Sequence, residues 1–112
     1  MIYWYPDLYM DETVKKNPKR CQKRVARRRP WKKSYVAITL ATNENNLFEM
    51  METRQLFFRR YCYMDLYVVG LAVNEEEAKK LLQQILEDAY RKDSSFQPRS
   101  YFDRDAFSSE IV

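Results

Sequence analysis

Downstream of Asn74 the apolar positions Ala78, Leu81, Leu82, Ile85, Leu86, Ala89 and Tyr90 recur at steps of three and four. Lys79, Lys80, Gln83, Gln84, Glu87 and Asp88 fill the other positions. This pattern predicts a helix over 75–91 with one buried stripe. Asn74 with Glu77 three positions later has the spacing of a capping box, and Arg91 and Lys92 suit the negative end of the helix dipole.

The stretch before it, Asp65 to Val73 (DLYVVGLAV), is apolar almost throughout and rich in β-branched residues, which predicts a strand over 65–73 covered on both faces. Tyr35 to Thr42 (YVAITLAT) predicts a second strand over 35–42. Leu47, Phe48, Met50, Met51, Leu56, Phe57 and Phe58 follow it, with Asn46 and Glu49 at capping-box spacing, and predict a helix over 46–58. A fourth pattern lies upstream. Asn17 and Pro18 form a helix start, Val14, Cys21 and Val25 a thin apolar stripe, and Pro30 a stop, so a basic helix is expected near 18–29.

The expected fold is therefore α/β or α+β, a small two-layer domain with a β-α-β-α core and the basic helix added to it. Two strands joined by a helix predict parallel neighbours with both main helices on one face. Two strands are too few for a stable sheet. Ile2 to Tyr5 and Ser100 to Phe102 are the short runs available to extend it, and Arg60 to Val73 is long enough for a hairpin. At an offset of 31, residues 38–44 and 69–75 agree in four of seven columns. Either a duplicated unit or the shared needs of strand-to-helix junctions accounts for this. Residues 93–112 carry Phe96, Tyr101, Phe102 and Phe107 at irregular spacing and predict a packed irregular tail that frays after Phe107.

Length and composition set bounds on this picture. The 112 residues suit a single domain over 1–112, and 46% hydrophobic residues with 15% aromatics suffice for one core. No apolar run is long enough to span a bilayer, and the first residues lack the order of a signal peptide, so a cytoplasmic protein is expected. There is no histidine, and Cys21 and Cys62 are far apart, which excludes zinc-finger spacings, CxxC pairs and Cys-His dyads. With no secretion signal, reduced thiols are expected.

Charge changes the picture most. The net charge is +4, yet eleven of the 20 Lys and Arg residues lie between Lys15 and Lys33 with no acidic residue among them. Nine basic groups elsewhere face all sixteen acidic groups, a balance of −7. The chain is an acidic body carrying a basic segment over 15–33.

That segment is the one feature that points to a partner. Lys19, Arg20, Lys23, Arg24, Arg27, Arg28 and Arg29 are the candidate contacts to a nucleic-acid backbone, with Trp31 available to stack on unpaired bases. The competing expectation is a structural or accessory protein, a homo-oligomer or one docking an acidic surface, in which the same charges meet carboxylates. Contact with a membrane is not expected, because Cys21, Val25 and Ala26 offer little apolar surface. The aromatic cluster Tyr3, Trp4, Tyr5 and Tyr9 is expected in the core or an interface. No spacing of Asp, Glu, Lys or Tyr matches a catalytic motif, and Gly70, the only glycine, cannot form a phosphate loop. The expectation is a non-catalytic binding module without a cofactor, in which Gly70 allows a close approach of backbone.

Overall fold

The computed structural model describes residues 2–26, 34–40, 48–57, 65–92, 102 and 104–109. Four strands, β1 (Ile2–Met10), β2 (Val36–Leu40), β3 (Phe48–Glu52) and β4 (Leu66–Ala72), form a mixed sheet in the order β1-β4-β2-β3. Helices α1 (Glu12–Lys15), α2 (Pro18–Ala26) and α3 (Glu75–Lys92) pack around it. This is a small α+β domain, with a radius of gyration of 13.3 Å, as expected for a compact chain of this length. Among the described residues no helix is long and apolar enough to cross a membrane.

β2, β4 and α3 form where the hydrophobic pattern places them. α3 begins as expected: Asn74 Oδ1 accepts from the Glu77 N–H at 2.8 Å. Ala78, Ile85 and Ala89 are buried along its stripe. Of the helix expected over 46–58, the described residues 48–57 form instead strand β3 followed by a 3-10 turn, Thr53–Phe57, while 46, 47 and 58 lie outside the described residues. β3 pairs antiparallel with β2, from Val36↔Glu52 to Leu40↔Phe48, so β2 is followed by a second strand and not by a helix over 48–52. The expected parallel crossover falls with it, since β2 and β4 are antiparallel. The similarity between 38–44 and 69–75 is then not a repeated βα unit. Helix α3 is the main helix of one face, and α1 with α2 adds a thin third layer on the other.

The parallel pair is β1 with β4. β1 extends well past Tyr5, and its register slips between Trp4 and Tyr9, where Pro6 and Asp7 stand exposed. Proline cannot donate to a ladder and is tolerated at such an irregularity on an edge strand. Alternation along β1 sends Ile2, Trp4 and Leu8 towards α1 and α2, and Tyr3, Tyr5 and Tyr9 towards α3. Of this aromatic cluster Trp4 is buried, and Tyr3, Tyr5 and Tyr9 are half-buried against the core. Tyr3 stacks on Tyr67 at 5.1 Å, and Tyr9 Oη donates to Asp88 Oδ2 at 2.7 Å. Phe102 and Phe107 from the tail are buried against the same side, and Ser108 exchanges two backbone hydrogen bonds with Trp4.

Strand β4 serves both faces, which explains its unbroken apolar sequence. Leu66 and Val68 face α1 and α2, and so does Leu71, an odd step that requires a change of phase. The ladder with β2 slips at this point, Ile38 pairing Gly70 and Thr39 pairing Val68. Gly70 sits in the bulge because a Cβ there would stand 3.2 Å from Ile38 Cδ1 and 3.5 Å from the Tyr9 carbonyl oxygen. The close approach expected at Gly70 is thus between neighbouring strands. Ile38 is fully buried and has little room to yield. Gly70→Val is expected to lower stability by about 1–2 kcal/mol, read from the urea midpoint. A wild-type midpoint would mean the bulge tolerates a side chain.

Candidate nucleic-acid interface

The basic segment is built onto the sheet by a short chain of polar and apolar anchors. Asp11 ends β1 and caps α1: its Oδ1 accepts from the Val14 N–H at 2.7 Å. Its Oδ2 accepts from the Val73 N–H at 2.8 Å, so one buried carboxylate joins the start of α1 to the end of β4. Asn17 then caps α2, its Oδ1 accepting from the Arg20 N–H at 3.3 Å and its carbonyl from the Cys21 N–H at 3.2 Å. Pro18 occupies the first turn, where its missing N–H costs nothing. Val14, Cys21 and Val25 are 0, 7 and 3% exposed, so the stripe expected from their spacing is the seam that docks the helices.

The opposite side of α2 carries Lys19, Arg20 and Lys23, all exposed. Among the described residues the ion pairs are Lys15–Glu12, Arg54–Glu52, Lys79–Glu75 and Lys80–Glu77, and none involves these three cations. The charge is also poorly placed for the helix itself. Lys19 and Arg20 lie near its positive end, and α2 has no acidic residue in its first turn. Lys19 and Lys23 are four apart, Arg20 and Lys23 three apart, spacings at which like charges repel by a few tenths of a kcal/mol. Lys23 and Arg24 in the last turn of α2 suit the dipole, as Arg91 and Lys92 do in α3, but α3 also opens with three glutamates. Within one chain, therefore, the first turn of α3 is charged for its own stability and the first turn of α2 against it.

Arg24 is placed differently. It is half-buried, and its Nη1 donates to Tyr35 Oη at 3.2 Å. Tyr35 leads into β2 and is bolted there: its N–H donates to Thr53 Oγ1 at 2.8 Å, and its carbonyl accepts from the Thr53 N–H at 2.7 Å. Burial pushes the Tyr35 phenol above its ordinary value of 10.0, helped by a hydrogen bond with the Cys21 thiol and opposed by Arg24. The folded chain holds this proton more tightly than the unfolded chain. Its stabilising contribution is complete below about pH 10 and is lost as the pH rises through the folded value. The urea midpoint is expected to fall in that alkaline window, and less steeply in Tyr35→Phe. An equal fall in both proteins would contradict this.

Of the residues expected at the interface, Lys19, Arg20 and Lys23 share one open face, Arg24 turns towards the sheet, and Arg27, Arg28, Arg29 and Trp31 lie outside the described residues. Cys62 lies outside them too; Cys21 is a free, buried thiol. Asp11 and Tyr35 were not expected to matter here. An Asp directly before a helix is a signal that sequence can give, whereas nothing in the sequence ties Tyr35 to Arg24, eleven positions away.

A concavity of about 250 Å³ lies between Val36, Met50, Met51, Glu52, Gln55 and Glu75. Its two carboxylates, Glu52 and Glu75, are paired with Arg54 at 3.1 Å and Lys79 at 3.5 Å. No protein-family model, curated protein or solved structure matches the chain.

Proposed function

We propose that the protein is a non-catalytic binding module that holds nucleic acid through its phosphate backbone, with Lys19, Arg20 and Lys23 of α2 as contacts. The observation that carries this reading is the exposed face of α2, whose three cations have no carboxylate partner among the described residues and of which Lys19 and Arg20 oppose the dipole of their own helix. Sites where local rules are broken without internal compensation are where a ligand is expected. A polyphosphate supplies the missing compensation: it neutralises the repulsion and releases condensed counterions. Arg27, Arg28, Arg29 and Trp31, the next residues along the chain, add to the same segment in sequence.

Lys19 and Lys23 are point charges on flexible stems and Arg20 a planar fork, all suited to phosphate oxygens, and contacts to phosphate carry no information about bases. Binding is therefore expected to be indifferent to sequence. Three contacts alone give a salt slope of about −2 to −3, more if the following arginines take part. Fluorescence anisotropy with duplex and single-stranded oligonucleotides at about 50 mM salt should show micromolar binding that weakens steeply with salt. Absence of binding, or binding to polyglutamate but not to oligonucleotides, overturns the proposal; the second outcome would favour an acidic protein partner.

A further inference from the structure

We infer that Tyr35 is a positioning residue that withholds Arg24 from the ligand, so that α2 meets phosphate through Lys19, Arg20 and Lys23 and not through its fourth cation. The inference rests on the nucleic-acid reading above. Four cations within six positions invite the assumption that all act alike, and the geometry separates them. Three are exposed, and the fourth is half-buried with Nη1 on the Tyr35 phenol.

The phenol is a firm anchor. Tyr35 is 2% exposed, its backbone is fastened to Thr53 by two hydrogen bonds, and its ring packs in the cluster that holds Val14, Cys21 and Val25. A guanidinium that donates to such a group gives up reach. Its hydrogen bond spans the seam between α2 and the sheet, next to the apolar stripe that sets which side of the helix faces outward. Arg24 keeps its charge, because a phenol is neutral at ordinary pH. What it loses is the freedom to follow a phosphate.

Salt slopes separate a contacting cation from a distant one. With a duplex oligonucleotide as probe, Lys19→Gln, Arg20→Gln and Lys23→Gln are each expected to reduce the magnitude of the slope by about 0.9. Arg24→Gln should leave it near the wild-type value. Tyr35→Phe keeps the ring and removes the acceptor; the freed guanidinium should then add a contact and steepen the slope by a similar increment. Adding Arg24→Gln to Tyr35→Phe should abolish that gain. A purely structural role for Tyr35 would weaken binding at all salt concentrations without steepening the slope. A slope for Arg24→Gln reduced as much as for Lys23→Gln, or an unchanged slope for Tyr35→Phe in a protein of wild-type circular dichroism, overturns the inference alone. Failure of the wild-type protein to bind overturns it together with the nucleic-acid reading.

Discussion

Replacing the three exposed cations together, Lys19→Glu, Arg20→Glu and Lys23→Glu, is expected to weaken oligonucleotide binding by about a hundredfold or more at low salt while leaving the thermal midpoint unchanged or raised. The two halves of this expectation have separate causes. Binding falls because three phosphate contacts, and the counterion release that goes with them, are replaced by repulsion. Stability holds because none of the three side chains has a carboxylate partner to lose among the described residues. Moreover, negative charge at positions 19 and 20, in the first turn of α2, suits the helix dipole at about 0.3–1 kcal/mol each, and these two gains offset the opposite effect of Lys23→Glu in the last turn. Binding loss through misfolding would move both quantities down together. A large fall in the midpoint would show that these cations serve the fold, and retained affinity would remove α2 from the interface.

The largest stability effect is expected at Asp11. Asp11→Ala removes the acceptor from two N–H groups, Val14 at the start of α1 and Val73 at the end of β4. Asp11 is 6% exposed, so water has little access to replace it. Hydrogen bonds to a charged group contribute about 1.5–3 kcal/mol each, and an orphaned buried donor adds its own penalty. A loss of about 3 kcal/mol follows, which for a chain of this size lowers the thermal midpoint by roughly 10–15 °C. Asp11→Asn keeps one acceptor oxygen and should recover part of the loss. Amide exchange at Val14 and Val73 should quicken in both variants. A cost under about 1 kcal/mol for Asp11→Ala would mean that the seam between α1–α2 and the sheet is held by Val14, Cys21 and Val25 alone.

Some of this architecture is legible in the sequence because local chemistry and global packing agree. Asn74 caps, the following stripe alternates at helical spacing, and α3 results. The basic helix is legible for the same reason, from Asn17 and Pro18 through Cys21 and Val25. Residues 48–52 mislead because Phe48, Met50 and Met51 fit a helical stripe as well as an alternating one, and Met and Glu are good helix formers. The decision comes from β2, whose edge pairs with all five residues of β3, a long-range contact that no local pattern announces. Likewise Pro6 and Asp7 hide the length of β1 because they sit where its ladder is interrupted. At the interface, the exposure of Lys19, Arg20 and Lys23 follows from the stripe on the other side of the helix. The withdrawal of Arg24 does not, since it depends on where β2 delivers a tyrosine ring.

The central claim is that the outward face of α2 is where this protein meets a polyanion. Titrating the isotopically labelled protein with a short duplex oligonucleotide, and following its backbone amide shifts, tests that most directly. The account predicts shifts concentrated over 16–26, weakening as salt is added, with the amides of α3 unmoved. Shifts spread along α3, or no shifts at low salt, would contradict it.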